Sequence, residues 1–425
     1  MMGAMGAWVV PVFLVAYALQ VGVETLLLGL NLRRASRARG VPPALEGALD
    51  EDTATLSRAY VVAHGLASAA EGLLRAGVTL AVLLLGVLPW LDQALGRAGF
   101  EGSHRFAGFL VMLAVGSCAI GIPFSLFRTF SVEERFGFNE TTPRLWLLDG
   151  LKALLLEAAL GVPLLYAVYA FMRWSRGSWW LWVFALLVGV QLFLLWIYPS
   201  VLAPLFNRFS PLPEGALKTR LEALARAAGF RNRGLYVMDA SRRSRHSNAF
   251  FVGLFRPRIV LYDTLVANLD EDEAASVLAH EIGHFRRHHV QRRMAFSLLG
   301  LLLALWGASL LLRWTPLYAA FGFDGPSLHA GVALLVLCGG AFLFWVTPLS
   351  ARVSRRQEFE ADRFAVELAR APGALKRALV RLAGDNLSNP TPHPWYAAWH
   401  YSHPTLAERL ARIDDVALAR RPAAR

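Results

Sequence analysis

The chain has 425 residues, room for two or three ordinary soluble domains, but 56% are hydrophobic and only 17% charged, too apolar for a water-soluble protein. The excess of 43 basic over 31 acidic residues, net +12, fits the cytoplasmic loops of a polytopic membrane protein and needs no nucleic-acid partner. Only two cysteines occur, Cys118 and Cys338, both in apolar runs, so neither a disulfide framework nor a cysteine metal site is expected, and any metal falls to His and carboxylates.

Seven apolar runs lie near 7–30, 61–91, 106–127, 145–172, 177–203, 294–313 and 329–349, each reaching or exceeding the roughly 20 residues that a helix needs to cross hydrocarbon. The first has no Lys or Arg before it and is too long for a signal-peptide core, so it reads as a retained helix. Several runs carry costly groups: Glu24 in the first, His64, Glu71 and Arg75 in the second, Lys152 and Glu157 in the fourth. Glu71 and Arg75 stand one helical turn apart and can pair; such groups either tie helices together or line a wet internal cavity. Arg33, Arg34, Arg37 and Arg39 follow the first run, and Lys and Arg crowd 208–293 and 351–425. That asymmetry places the N-terminus outside and both polar segments and the C-terminus inside.

After the fifth run, Tyr198-Pro199 and the segments 203–207 and 211–215 are expected to break the helix and open a soluble lobe. The chain then divides into five membrane helices (1–205), a first lobe segment (206–293), two more membrane helices (294–350) and a second lobe segment (351–425). Its Ala/Arg-rich tail after Val416 reads as disordered. Residues 214–229 have helical spacing, while 234–239, 248–252 and 259–263 read as strands, the last two as a hairpin around 255–258. Acidic residues 270–273 open a further helix. The expected fold class is mainly α: a seven-helix polytopic membrane protein with an α+β lobe holding a small sheet.

That further helix carries the sharpest signal, His280-Glu281-Ile282-Gly283-His284, two His at i and i+4 on one helix face, the pattern of zincin metalloproteases. Zn²⁺ takes imidazole nitrogen at about 2.0 to 2.1 Å, and on a helix only side chains a turn apart converge that closely. Glu281 projects about 100° round from His280, placed to act as general base on a water without ligating the metal. Ala274, Ala275, Val277, Leu278 and Ile282 make this a buried helix, a costly place for such groups unless something compensates. A catalytic zinc needs a third protein ligand, and Glu358 is the candidate. Asp362, four residues on, either orients a ligand histidine or pairs with Arg355 or Arg356. Glu360 reads as pointing elsewhere, and His288, His289, His393 and His400 as surface or cap residues. The stretch 248–252 suits an edge strand that accepts an extended substrate.

With these motifs stand Glu133-Glu134-Arg135-Phe136-Gly137-Phe138-Asn139, His246-Ser247-Asn248-Ala249-Phe250-Phe251, Glu358-Phe359-Glu360-Ala361-Asp362, and Tyr401-Ser402-His403-Pro404-Thr405 followed by Glu408-Arg409-Leu410. The set, spread over nearly the whole chain, resembles the type I CAAX prenyl endopeptidases, seven-helix membrane metalloproteases of the gluzincin kind. The resemblance implies one Zn²⁺ per chain held by His280, His284 and Glu358, with Glu281 activating water and Asp362 supporting a ligand histidine. It further implies that His403 and Arg409 take catalytic parts, contacting the substrate backbone or the developing oxyanion, and that Asn248, Ala249 and Phe250 bind substrate. A water-filled chamber enclosed by the seven helices is also implied, which favours cavity lining for Glu71, Arg75, Lys152 and Glu157. The expected partners are a peptide or protein substrate, prenylated or membrane-associated, and the lipid bilayer, with the chain a monomer.

Two departures stand out: the link from Asp263 to the zinc helix is short, and the Ala, Arg and Gly content reads as a GC-rich prokaryotic source, placing the protein in an inner membrane. Prokaryotes generally lack prenylated CAAX proteins, so a quality-control protease for unprenylated membrane proteins is the alternative. A transporter or channel predicts no zincin helix, and a non-catalytic scaffold predicts no intact catalytic set.

Overall fold

The computed structural model describes residues 7–230, 234–253 and 258–419; residues 255–257 of the expected turn and 420–425 of the tail lie outside them. Helices α1 (Val9–Arg37), α2 (Glu51–Leu84), α3 (Gly102–Phe127), α4 (Pro143–Trp174) and α5 (Trp179–Ile197) follow in order. Their starts are chemically marked. The Asp50 carboxylate accepts from Thr53 N ahead of α2, and the Thr142 hydroxyl accepts from Leu145 N ahead of α4 with Pro143 in its first turn, where a missing N–H costs nothing. The helical break expected at Tyr198-Pro199 comes later. A π-helical turn at Tyr198–Leu202 absorbs Pro199, and the chain stays helical to Phe206 before turning extended at Asn207.

Strand β1 (Phe209–Pro211), helix α6 (Ala216–Ala227) and strands β2 (Leu235–Met238), β3 (Ala249–Val252) and β4 (Arg258–Tyr262) come next. The sheet order is β1-β2-β4-β3. The β3–β4 pair is the antiparallel hairpin expected, whereas β2 joins β4 in parallel. This leaves β3 as an edge strand. Helix α7 (Glu271–Arg286) carries the histidine pair, and α8 (His289–Leu311) and α9 (Leu328–Leu343) are apolar. After a 3-10 turn at Phe344–Val346, α10 (Thr347–Ala369) leads from α9 back to the lobe, which α11 (Pro372–Asp385) and α12 (Leu406–Leu418) complete. The last helix runs to Leu418, two residues into the tail that was expected to be disordered after Val416.

Among the described residues, seven helical stretches are long and apolar enough to cross a membrane. Their apolar side chains are largely unburied: Leu155 is 69%, Phe296 68% and Val336 71% exposed. Faces this apolar call for hydrocarbon as their solvent. Glu71 takes Arg75 Nε at 2.8 Å and also Arg128, while Arg75 donates to Ser117 O at 3.3 Å, so this pair ties α2 to α3. Lys152 donates to Asp149 at 3.3 Å and to Leu205 O at 3.1 Å.

The lobe has its own apolar core, in which Leu221, Leu261, Leu265, Leu278, Ile282, Leu375 and Ile413 are buried. One of its joins to the membrane helices is Asn31 of α1, which accepts from Asn389 and from His393 N; another is a polar seam. The His246 ring stacks on Phe138 with centroids 3.9 Å apart, and its Nε2 lies 3.3 Å from Glu133 Oε2. Glu133 Oε1 accepts the Tyr60 hydroxyl at 2.7 Å, and Arg243 Nε donates to Asp149 at 2.8 Å. These contacts fix the residues that lead into β3.

Candidate active site

Helix α7 begins with a full capping box: Asp270 Oδ1 accepts Glu273 N at 2.8 Å, and Glu273 Oε2 accepts Asp270 N at 3.1 Å. The acidic first turn matches the positive end of the helix dipole. Along its length every residue from Glu273 to Gly283 except Glu281 is buried. The helix therefore runs through the lobe core and presents Glu281 to a cleft. Gly283 permits the close crossing of α7 and α10: a Cβ there would lie 3.1 Å from Ala361 Cα and 3.2 Å from Ala361 O.

That crossing brings the donor atoms of three side chains together. His284 Nε2 lies 3.1 Å from His280 Nε2 and 3.2 Å from Glu358 Oε1, and His280 Nε2 lies 3.4 Å from Glu358 Oε2. Ligand atoms about 2.0 to 2.2 Å from one tetrahedral zinc stand about 3.3 to 3.6 Å apart, so the spacing is close to what a shared ion needs. The chemistry fits too: His280, His284 and Glu358 are all buried, and their lone pairs converge where only a shared cation satisfies them all. Glu358 Oε2 lies 2.7 Å from His403 Nδ1, yet it has no hydrogen bond of acceptable direction, as expected of an oxygen shaped for a metal.

Behind the cluster, His280 Nδ1 meets Asp362 Oδ1 at 2.8 Å. Asp362 is 1% exposed and is gripped by Arg409, Nε to Oδ2 at 2.9 Å and a second guanidinium nitrogen to Oδ1 at 2.6 Å. Its charge partners are thus His280 and Arg409, not Arg355 or Arg356. Arg409 is committed to Asp362, with one nitrogen also 3.4 Å from His280 Nδ1; this side of His280 lies away from the donor cluster. Arg355 instead donates to the carbonyls of Ala397, Ala398 and Tyr401 at 3.1, 3.1 and 2.8 Å, holding the loop that carries His403. Burial disfavours a charged His280, but the bond to Asp362 and the negative charge of the facing Glu358 prevail and lift its pKa to about 9. Burial also raises the Glu281 carboxyl above the usual range, the direction that suits a general base.

Glu281, His284 and Glu358 open into a cleft of about 680 Å³ shared with Asn248, Ala249, Phe250 and Phe251 of the β3 edge and with His403. Of the residues singled out for substrate, Asn248, Ala249, Phe250 and His403 line this cleft. Arg409 is absent from the lining of this cleft and borders another hollow of about 470 Å³, which shares Ser402 and His403 with it.

Glu360 lies outside the donor cluster, as expected, but His289 is not at the surface. His289 is fully buried against His284, and its Nε2 lies 3.2 Å from Glu360 Oε2. On one continuous helix His288, four residues beyond His284, would share the face of His280 and His284, and His289 would not. The left-handed His288 (φ 55°) breaks that phase and separates α7 from α8. His288 itself is exposed.

Residues 31–208 match the family model for the CAAX prenyl protease N-terminal region, five membrane helices, and residues 211–417 match peptidase family M48. The CAAX prenyl protease 1 homolog of Oryza sativa is 35% identical over 408 residues, covering 91% of this chain and 93% of its own. The chain belongs to the CAAX prenyl protease family. The human CAAX prenyl protease 1 homolog is 32% identical, with 92% of each chain covered. The crystal structure of S. mikatae Ste24p matches with a TM-score of 0.88 and 31% identity over 95% of this chain and 98% of that one. As a CAAX prenyl protease family member, the chain is an integral multi-pass membrane metalloendopeptidase that acts on a peptide or protein substrate.

Proposed function

We propose that this protein is a one-zinc endopeptidase in which His280, His284 and Glu358 hold the ion, Glu281 is the general base, and the β3 edge presents the substrate. The observation that carries the reading is the convergence of three buried lone pairs from two crossing helices at 3.1 to 3.4 Å beside Glu281 and an open edge strand. When bound, zinc supplies Lewis-acid polarisation of a carbonyl and lowers the pKa of water. Glu281, with its proton affinity raised by burial, takes the proton from the attacking water and passes it to the leaving amine.

Asp362 keeps the proton of His280 on Nδ1, leaving Nε2 free to ligate, and Arg409 neutralises and steers Asp362. His403, 63% exposed on its loop, is the side chain placed to donate to the developing oxyanion, a part worth about 2.7 to 4 kcal/mol per donor. Arg409 therefore acts through Asp362, not as a second oxyanion donor. Asn248, Ala249 and Phe250 line up an extended segment by strand addition, which leaves side-chain specificity loose.

The family's named substrate class, a prenylated CAAX protein, is the first reading for this chain. Its composition favours a prokaryotic inner membrane, with the N-terminus outside and the lobe inside, and the helices enclosing the substrate chamber of a monomer. Detergent-solubilised wild type and Glu281→Gln, each given a farnesylated CAAX peptide and an unprenylated membrane-protein fragment, test this. Cleavage of the farnesylated peptide by wild type alone is expected. Equal cleavage by both variants would refute the role of Glu281, and cleavage of the unprenylated fragment alone would replace the CAAX substrate by a quality-control one.

A further inference from the structure

We propose that His289 and Glu360 form a second positioning arm for the metal, fixing the tautomer and direction of His284 as Asp362 and Arg409 do for His280; this rests on the zinc reading above. His284 turns Nε2 toward His280 and Glu358 and leaves Nδ1 3.0 Å from His289 Nδ1. Two imidazole nitrogens at that distance require one proton between them. A neutral His284 that ligates through Nε2 carries its proton on Nδ1 and is the donor, so His289 Nδ1 is the acceptor. The proton of a neutral His289 then sits on Nε2, 3.2 Å from Glu360 Oε2, a carboxylate that can only accept. Glu360 Oε1 in turn takes Arg356 Nε at 3.2 Å. Each link admits one consistent direction of donation.

The backbone supports the same reading independently. His288 occupies the left-handed region at φ 55°, a conformation costing a non-glycine residue about 1 to 2 kcal/mol. Such an outlier persists where its surroundings require it, and here it re-aims the chain so that fully buried His289 meets His284 edge to face, with ring centroids 5.1 Å apart. An apolar residue would fill that space without desolvating an imidazole. The arm thus runs His284, His289, Glu360, Arg356, opposite the arm His280, Asp362, Arg409, with both carboxylates supplied by α10. The two ligand rings are each held from behind, and Glu358 comes from the helix that holds them.

The test uses the full-length protein in detergent and reads zinc affinity by competition with a chromophoric chelator, with thermal unfolding of the metal-free protein alongside. His289→Leu keeps the volume but removes both hydrogen bonds, whereas His289→Gln retains an acceptor for His284. His289→Leu is expected to bind zinc about 10- to 100-fold more weakly, with metal-free unfolding unchanged or raised, and His289→Gln to recover most of the affinity. Glu360→Gln, at a one-third-exposed position, should weaken binding about 10-fold and serves even if His289→Leu fails to fold. Wild-type affinity in His289→Leu or Glu360→Gln, or equal losses in His289→Leu and His289→Gln, would overturn the arm. Failure of the wild type to bind zinc would instead refute the metal reading on which the arm depends.

Discussion

Replacing Gly283 by alanine should damage the metal site from between its ligands without touching one. The new Cβ would stand 3.1 Å from Ala361 Cα, 3.2 Å from Ala361 O and 3.2 Å from Phe364 Cβ. Comfortable carbon contacts lie at about 3.5 to 4.0 Å, and two of the three neighbours are backbone atoms that cannot rotate away. Helices α7 and α10 would have to part by about 0.4 to 0.5 Å, while metal–ligand distances tolerate about 0.2 Å. The better helix propensity of alanine offsets about 1 kcal/mol, against about 1 to 3 kcal/mol for overpacking a tight contact, so the net effect is loss. Zinc competition and thermal unfolding of Gly283→Ala, beside Gly300→Ala, measure it; Gly300 sits where a Cβ meets nothing within 4 Å. Weaker zinc binding and earlier unfolding are expected for Gly283→Ala alone. Wild-type zinc affinity with equal or later unfolding would show that the crossing does not set the ligand spacing.

Asp362→Asn leaves Arg409 without its buried counterion, so a loss of about 3 to 5 kcal/mol in stability is expected, together with zinc binding about 10- to 100-fold weaker. In Asp362→Leu/Arg409→Leu, denaturant unfolding should recover while zinc affinity does not. Asp270→Ala removes the cap of α7 and should cost about 0.5 to 2 kcal/mol near neutral pH. The Glu273 N–H lowers the Asp270 pKa in the folded protein, so its contribution is present above the unfolded value, about 3.9, and lost as pH falls through the folded one. Unfolding curves of wild type and Asp270→Ala should therefore converge at acid pH. Peptide substrates N-methylated at single amides probe strand addition at β3: one position should lose up to about tenfold in kcat/KM, the worth of one hydrogen bond, while equal rates throughout would exclude that mode.

The histidine pair was legible because it is local: one helical turn separates His280 from His284, and helical geometry alone makes them converge. Glu358 and Asp362 share a turn of α10 in the same way. What stayed hidden depends on the chain changing direction. One left-handed residue, His288, turns His289 from an apparent surface histidine into a buried partner of His284, and Glu360 gains its role only through His289. Arg409 reaches Asp362 across 47 residues, a pairing that no periodicity encodes. The β3–β4 hairpin was readable from alternation and spacing, whereas the parallel pairing of β2 with β4 requires knowing how the chain returns to the sheet. Of the proline-rich segments expected to end the fifth membrane helix, 203–207 does so, because a π-helical turn accommodates Pro199.

The most direct test of the central claim is the zinc content and peptidase rate of Glu281→Gln against wild type in one preparation. A general base that does not ligate the metal predicts one zinc per chain in both proteins, with the rate of Glu281→Gln lower by about 10²- to 10⁴-fold. A variant that cleaves at the wild-type rate, or one that loses activity only because it has lost its zinc, would contradict that assignment.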